Sequence, residues 1–459
     1  TLRCVGVGKC RRKTGKSAED DTMCPSFMVT HEEQNATRGR AHQLWEMLKG
    51  EVLTDGWRDE SVKAALDLCL ACKGCKGDCP VSVDMATYKA EFLSHYWEGR
   101  LRPRHAYAFG LIDQWARLAS IAPGFVNLFT QLPVLSTLAK KAVGIPMGRQ
   151  IPAFASETFK SWFRKRGPRN QGQPKVILWP DTFNNYFVPE TAQAAVEVLE
   201  HFGYQVAVPM RHLCCGRPLY DYGFLDRAKQ YLDTILDALA EDIDAGTPMV
   251  VLEPSCCAVF RDEMLGLMPE SPRARRLAES TFLLSEFLEQ KVKDYAPPKL
   301  PRKAIVQGHC HHKAIMRFYD EEAVLKKMGL DFQVLNSGCC GMAGSFGFEE
   351  DKYDISLQCG ERVLFPALRQ AEPETLIMAD GFSCREQIQQ DTPRHALHLA
   401  EVMCVALHDA ESVPPIFPEN ELVRKRNTDR RRSMVRAALA TGAALAGGVL
   451  LLWGLRRRT

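Results

Sequence analysis

The spacing of apolar residues changes character along the chain. Leu44, Met47, Leu48 and Val52 recur at helical spacing, and residues 84–97 repeat the pattern. Residues 102–168 continue as helices punctuated by prolines, and the polar stretch 169–174 closes them. Short apolar runs of strand type then alternate with helical segments: 175–179, a helix over 190–202, 204–208, a helix from about Gly223, and 249–252. The same order returns as 303–306, a helix over 321–328, 332–335, a helix from Asp351, and 375–378. Such a repeat predicts two related α/β halves with parallel strands. The expected fold class is α+β and multidomain. It comprises a helical head (1–105), a helical connector (106–172), two α/β halves (173–298 and 299–410), a basic linker (411–436) and a hydrophobic helix (437–455).

Composition supports a globular chain: 459 residues, 46% hydrophobic and 25% charged. The net charge of +3 is uneven, because residues 425–459 carry +8 and leave −5 for the rest. The mildly acidic body gives no reason to expect nucleic acid as a partner. Arg3, Lys9, Arg11 and Arg12 interrupt any apolar opening run, so no signal peptide is expected. The count that changes the picture is 17 Cys. They cluster as CxxC and CC, adjacent cysteines pair poorly with each other, and a chain this long needs no staples. Metal or cluster ligation is the expectation.

Cys69-Leu-Ala-Cys72-Lys-Gly-Cys75-Lys-Gly-Asp-Cys79-Pro80 matches the C-x2-C-x2-C-x3-C-P run of bacterial-type ferredoxins. Thiolates at steps of three wrap one corner of a cubane, and Pro80 turns the chain so that the fourth Cys reaches a second cluster. A zinc ribbon needs two CxxC pairs across a longer loop. A damaged partner run opens the chain: Cys4 and Cys10 are present, Val7 stands where a middle Cys belongs, and Cys24-Pro25 follows a polar insertion. By the crossover rule, Cys24, Cys69, Cys72 and Cys75 hold a [4Fe-4S] cluster. Cys4, Cys10 and Cys79 supply three thiolates to a second site. That site is a [3Fe-4S] cluster, a [4Fe-4S] cluster with a non-Cys ligand, or an unstructured first loop.

Both halves place cysteines after strands, where ligands gather in parallel sheets. The first half offers Cys214, Cys215, Cys256 and Cys257, and the second Cys310, Cys339, Cys340 and Cys384. The step from Cys-Cys-Gly to Ser-Cys is 42 residues in one copy and 45 in the other. Cys310 corresponds to Asp181, so the first half lacks the leading thiol. The second half is expected to hold a further iron–sulfur centre. For the first half a cluster, zinc, an empty thiol site and a catalytic thiol all stay open. His309, His311 and His312 surround Cys310 and can ligate or relay protons. Cys359 and Cys404 read as buried hydrophobes.

These motifs, with Met23-Cys-Pro-Ser26, Thr37-Arg-Gly-Arg-Ala41, Gly338-Cys-Cys-Gly-Met-Ala-Gly344 and Gly381-Phe-Ser-Cys384, resemble the iron–sulfur portion of FAD-linked 2-hydroxyacid dehydrogenases. Relatives of that kind include the glycolate oxidase iron–sulfur subunit and the cysteine-rich subunit of heterodisulfide reductase. The resemblance covers about residues 1–405. It implies an electron-transfer module that relays electrons from FAD, held by a missing domain or partner subunit, to a quinone or other acceptor. The alternative it carries is a thiol–disulfide oxidoreductase working at the Cys-Cys-Gly sites. Two departures stand out: the first half has no leading Cys, and Cys384 stands alone where the family has Cys-x2-Cys.

At the end of the chain, 437–455 is 19 residues without a charge, flanked by arginines. As a helix it is roughly 28 Å long, against a hydrocarbon thickness of about 30 Å. A single-pass anchor with the body on the cytoplasmic face of the inner membrane is the expectation.

Overall fold

The computed structural model describes residues 3–11, 22–409 and 414–456, with the backbone alone at 409 and 442–456. Most of the expected polar insertion of the head and residues 411–413 of the expected linker lie outside the described residues.

The head is helical. Helices Thr37–Lys49, Glu60–Asp67 and Met85–Tyr96 enclose Phe27, Leu44, Met47, Val62, Leu66, Met85 and Phe92. Asp59 caps the second helix through the Ser61 and Val62 amides, and Asp84 caps the third through Thr87. The first helix stops at Gly50, which takes φ +70°, so Val52 falls beyond it and is exposed. The expected continuation of the apolar stripe to Val52 therefore fails at a glycine C-cap.

Five helices, Arg104–Gly110, Ile112–Ala119, Pro123–Gln131, Pro133–Val143 and Phe159–Arg166, form the connector. Pro123 and Pro133 each sit in the first turn, where the missing amide proton costs nothing.

The body holds two parallel sheets. The first contains β1 (Lys175–Leu178), β2 (Gln205–Ala207), β3 (Met249–Val251) and β4 (Thr281–Leu283), ordered β2-β1-β3-β4. The second contains β5 (Lys303–Val306), β6 (Asp331–Val334) and β7 (Leu376–Met378), ordered β6-β5-β7. Corresponding registers, such as Val176 opposite Val206 and Ala304 opposite Phe332, show the repeat. Strand β4 had no sequence expectation, because three residues running straight into a helix are too short to show a period. One core joins the halves: Val176, Leu178, Val250 and Phe282 pack in the same cluster as Ala304, Val306, Leu376 and Met378. Helix Pro189–His201 lies on Leu399–Asp409 across the seam.

The expected basic linker is helical from Asn420. It begins a 37-residue helix, Asn420–Arg456, that runs through the expected hydrophobic helix. No glycine or proline interrupts its first turns. Arg426 reaches Glu190 and Glu401, Arg430 donates to the Phe187 carbonyl, and Ser433 lies on Gly124. Among the described residues no helix is long and apolar enough to cross a membrane. The side chains at 442–455, most of the expected anchor, lie outside the described residues.

Candidate functional site

The cysteines of the head line two small cavities. One is bounded by Cys24, Cys69, Cys72 and Cys75 with Pro25 and Met85. The other is bounded by Cys4, Cys10 and Cys79 with Val7, Val81 and Val83. These are the two groups expected from the crossover. Ala71 and Lys73 take φ of +49° and +59°, which curls the loop between Cys69 and Cys75 around the first cavity. Backbone donors point at sulfur: Thr37 N lies 3.0 Å from Cys24 Sγ, Arg38 N 3.3 Å from Cys10 Sγ, and Met85 N 3.3 Å from Cys75 Sγ. The cavities adjoin where Cys10 and Cys24 meet. The hydrogen bond with Cys24 holds Cys10 down to about 6, and the same contact, with burial, pushes Cys24 well up.

In the second half, the loops after β5, β6 and β7 bring Cys310, Cys339, Cys340 and Cys384 together. Cys339 contacts both Cys310 and Cys340, and Cys340 contacts Cys384. Gly341, at φ +96°, lets the paired cysteines turn tightly, because a Cβ there would overlap the Ser356 carbonyl oxygen. In the first half, Cys215 and Cys256 lie 2.9 Å apart, and Cys214 is 3.6 Å from the Thr182 hydroxyl. Asp181, aligned with Cys310, is buried and caps the following turn through Phe183 and Asn184. Burial, then Glu253, raises its carboxyl to about 6. Cys257 is turned away from its neighbours, towards Arg261 and Glu286. The structure thus gathers three of the four first-half candidates.

The halves face each other across a shared cavity. Cys214, Cys215 and Cys256 line one side, and Cys310, His309 and His311 another. The connector adds an apolar wall of Phe109, Ile112, Ile145, Ile151 and Phe154. Phe183 of the first half stacks on Phe382 of the second at 4.5 Å, and Glu253 accepts from the Phe382 amide at 2.8 Å.

The head docks where the thiols are. Cys72 packs in one buried cluster with Cys310, Cys339 and Cys359. The Ala71 carbonyl, in the cluster loop, accepts from His311 Nε2 at 2.9 Å and from Arg217 Nη2 at 3.1 Å. Burial pushes His311 well below its usual range, so the ring is neutral, with its proton on Nε2. Its Nδ1 is buried without a partner and free to ligate. Beside it lies a charge network at the head–body seam. Lys73, fully buried, reaches Asp84 and Asp262 at 2.9 Å and Glu263 at 3.2 Å, while Arg217 pairs with Asp221 and Glu263. Sequence reasoning missed Lys73, Arg217 and Glu253. Only the adjacency of Lys73 to Cys72, and of Arg217 to Cys214-Cys215-Gly216, pointed to two of them. His312 is buried and does not line the cavity that His309 and His311 line, and Cys359 is buried in the cluster with Cys310 and Cys339. Cys404 is half-buried, not a simple hydrophobe: its thiol donates to Glu197 at 3.4 Å.

The donor chemistry fits iron–sulfur clusters. Thiols crowd buried cavities, amide protons point at their sulfurs, and burial, with the neighbouring thiols, drives Cys72 and Cys75 up, the latter to about 12. These thiols would hold a cluster as thiolates, and its cationic iron would remove that penalty.

Residues 1–83 match the family model of the 4Fe-4S dicluster domain, and residues 182–261 and 316–389 match that of the cysteine-rich domain. The chain joins a dicluster head to two cysteine-rich domains. D-2-hydroxyglutarate dehydrogenase of Pantoea ananatis is 25% identical over 85% of this chain and 42% of its own length. One of the subunits of the anaerobic glycerol-3-phosphate dehydrogenase of Escherichia coli is 28% identical over 61% of this chain and 72% of its own. Lactate utilization protein A of an Exiguobacterium species is 29% identical over 50% of this chain and 97% of its own. The chain spans less than half the length of the D-2-hydroxyglutarate dehydrogenases it matches. It resembles the iron–sulfur portion of such dehydrogenases, and the dicluster head and cysteine-rich halves carry that resemblance.

Proposed function

We propose that the chain is the iron–sulfur electron-transfer module of a flavin-linked dehydrogenase acting on a 2-hydroxy acid of the lactate, glycolate or 2-hydroxyglutarate type. An FAD-bearing domain or subunit delivers electrons to the dicluster head, and the cysteine-rich halves pass them to a quinone or other acceptor. The observation that carries this reading is the seam where Cys72 packs against Cys310 and Cys339, and His311 bonds to the Ala71 carbonyl. Bound clusters supply one-electron carriers, which a flavin feeds by splitting its electron pair. The residues of the chain set the path: the two head cavities adjoin at Cys10 and Cys24, the Cys72 loop abuts the second half, and the apolar cavity between the halves gives an acceptor access. Cys24, Cys69, Cys72 and Cys75 would hold a [4Fe-4S] cluster. Cys4, Cys10 and Cys79 would hold a site of altered type, because Val7 cannot ligate and stands 63% exposed. The second-half thiols would hold a further cluster. The relatives are dehydrogenases and their subunits, so the thiol–disulfide reading is not favoured.

Cys72→Ser tests the path. It should abolish one EPR signal and acceptor reduction while the partner flavin is still reduced by substrate; flavin reduction lost with the cluster signals intact would overturn the assignment. Val7→Cys should change the spectrum or potential of the three-thiol site. We also propose that the C-terminal helix anchors the module at the cytoplasmic face of the inner membrane, with its 437–455 segment spanning. Release of the intact chain by a carbonate wash contradicts that placement.

A further inference from the structure

Away from the thiols, three connections of the second half bring three side chains to one buried point. His312 lies in the turn His312–Met316 after β5, Glu321 in helix Tyr319–Met328, and Asp380 two residues beyond β7. One ligating atom from each lies within 4.8 Å of the others. His312 is 0% exposed and Glu321 2%. Both ring nitrogens of His312 have no hydrogen-bond partner, while the Glu321 carboxyl lies in hydrogen-bonding contact with Ser285 and Asp380. Asp380 faces the same point. Its Oδ1 accepts from the Leu399 amide at 3.0 Å and lies 3.6 Å from His398 Nε2. Burial, with Asp380 beside it, pushes the Glu321 carboxyl well up.

A wholly buried imidazole with neither nitrogen bonded is costly, and two adjoining buried carboxylates repel. A proton on Glu321 relieves the second penalty, but only a ligand between the three groups would also satisfy the imidazole. Donors 2.0–2.2 Å from a common ion lie about 3–4 Å from each other, inside the observed limit. An imidazole among carboxylates disfavours magnesium and calcium, which prefer all-oxygen shells, and three protein ligands suit zinc with one position left for water.

We propose that His312, Glu321 and Asp380 bind one divalent transition-metal ion of the zinc class, separate from any iron–sulfur cluster. His312 is two residues from Cys310, and Asp380 is four from Cys384. The ion therefore ties together the two loops that present those thiols. This site does not depend on the electron-transfer reading. The test is elemental analysis and anomalous diffraction at the zinc edge on the full chain, purified anaerobically without added metal. A stoichiometric zinc between the three side chains is expected, lost in Glu321→Gln and Asp380→Asn while cysteine-bound iron in the head is retained. An anomalous map with iron peaks only overturns the site. So does zinc retained in both variants, which would place it on thiols, or a water bridging a protonated Glu321 to Asp380. If the variants fail to fold, the wild-type map alone decides.

Discussion

Replacing Arg217 by Met should unfasten the head from the first cysteine-rich half. The guanidinium is buried and meets Asp221 at 3.0 Å, Glu263, and the Ala71 carbonyl at 3.1 Å. Burial alone would lower its proton affinity, but Asp221 and Glu263 more than offset that and keep it cationic. At an effective dielectric of about 20, unit charges 3.0 Å apart attract by about 5.5 kcal/mol. Desolvation cancels part of this, and the measured cost of removing one partner of a buried pair is about 3–5 kcal/mol. Arg217→Met strands Asp221 and leaves Glu263 with Lys73 as its cation, so a loss of about that size is expected in guanidinium unfolding followed by cluster absorbance. Arg217→Met with Glu263→Gln should recover much of it, because Lys73 keeps Asp84 and Asp262 as partners. Loss of the cation beside the Cys72 loop should also make the potential of that site more negative. A single variant within about 0.5 kcal/mol of the parent, or a double variant no more stable than the single, refutes the reasoning.

Gly341→Ala places a methyl against the Ser356 carbonyl at positive φ, so the second half should melt earlier and lose any iron it binds, while signals from the head are unchanged. Cys256→Ala should remove any metal held by the first half, whereas Cys257→Ala should not, since that thiol faces Arg261 and Glu286; equal metal loss in both would contradict the placement. Lys160 donates to the Arg211 carbonyl at 2.7 Å, yet burial, with Arg164 nearby, lowers it from 10.5 to about 8. Between those values the unfolded chain binds the extra proton, so this group costs stability at pH 7 and the cost fades as pH rises from 8 to 10.5. Lys160→Met should therefore be more stable than the parent at pH 7, by up to about 3 kcal/mol less the lost hydrogen bond, with the difference vanishing by pH 10.5. A difference that does not vary with pH refutes this.

Much of the architecture was legible because its signals are local. The cysteine run 69–79 and the Cys-Pro pair at 24 foretold which thiols would share a cavity, and β1 to β3 and β5 to β7 show as repeated apolar runs before Cys motifs. What stayed hidden depends on tertiary contacts. Strand β4 is three residues long and is recruited by pairing with β3. The charges of Lys73 and Arg217 read as ordinary surface residues until the head meets the body and buries them against Asp262 and Glu263. Adjacent cysteines in a helical turn point in different directions, so Cys256 and Cys257 cannot both face one site, a geometry that their adjacency in sequence conceals. Cys404 gains its partner Glu197 only because helices from the two halves pack together.

The central claim is that the cubane site at Cys72 passes electrons directly to the second cysteine-rich half. EPR of the anaerobically prepared, fully reduced chain measures this, because paramagnetic centres that close together split or broaden each other's signals. The account predicts a spin-coupled spectrum that becomes simple and uncoupled in Cys310→Ser. Independent, unbroadened signals in the parent chain, or a spectrum unchanged by Cys310→Ser, would contradict it.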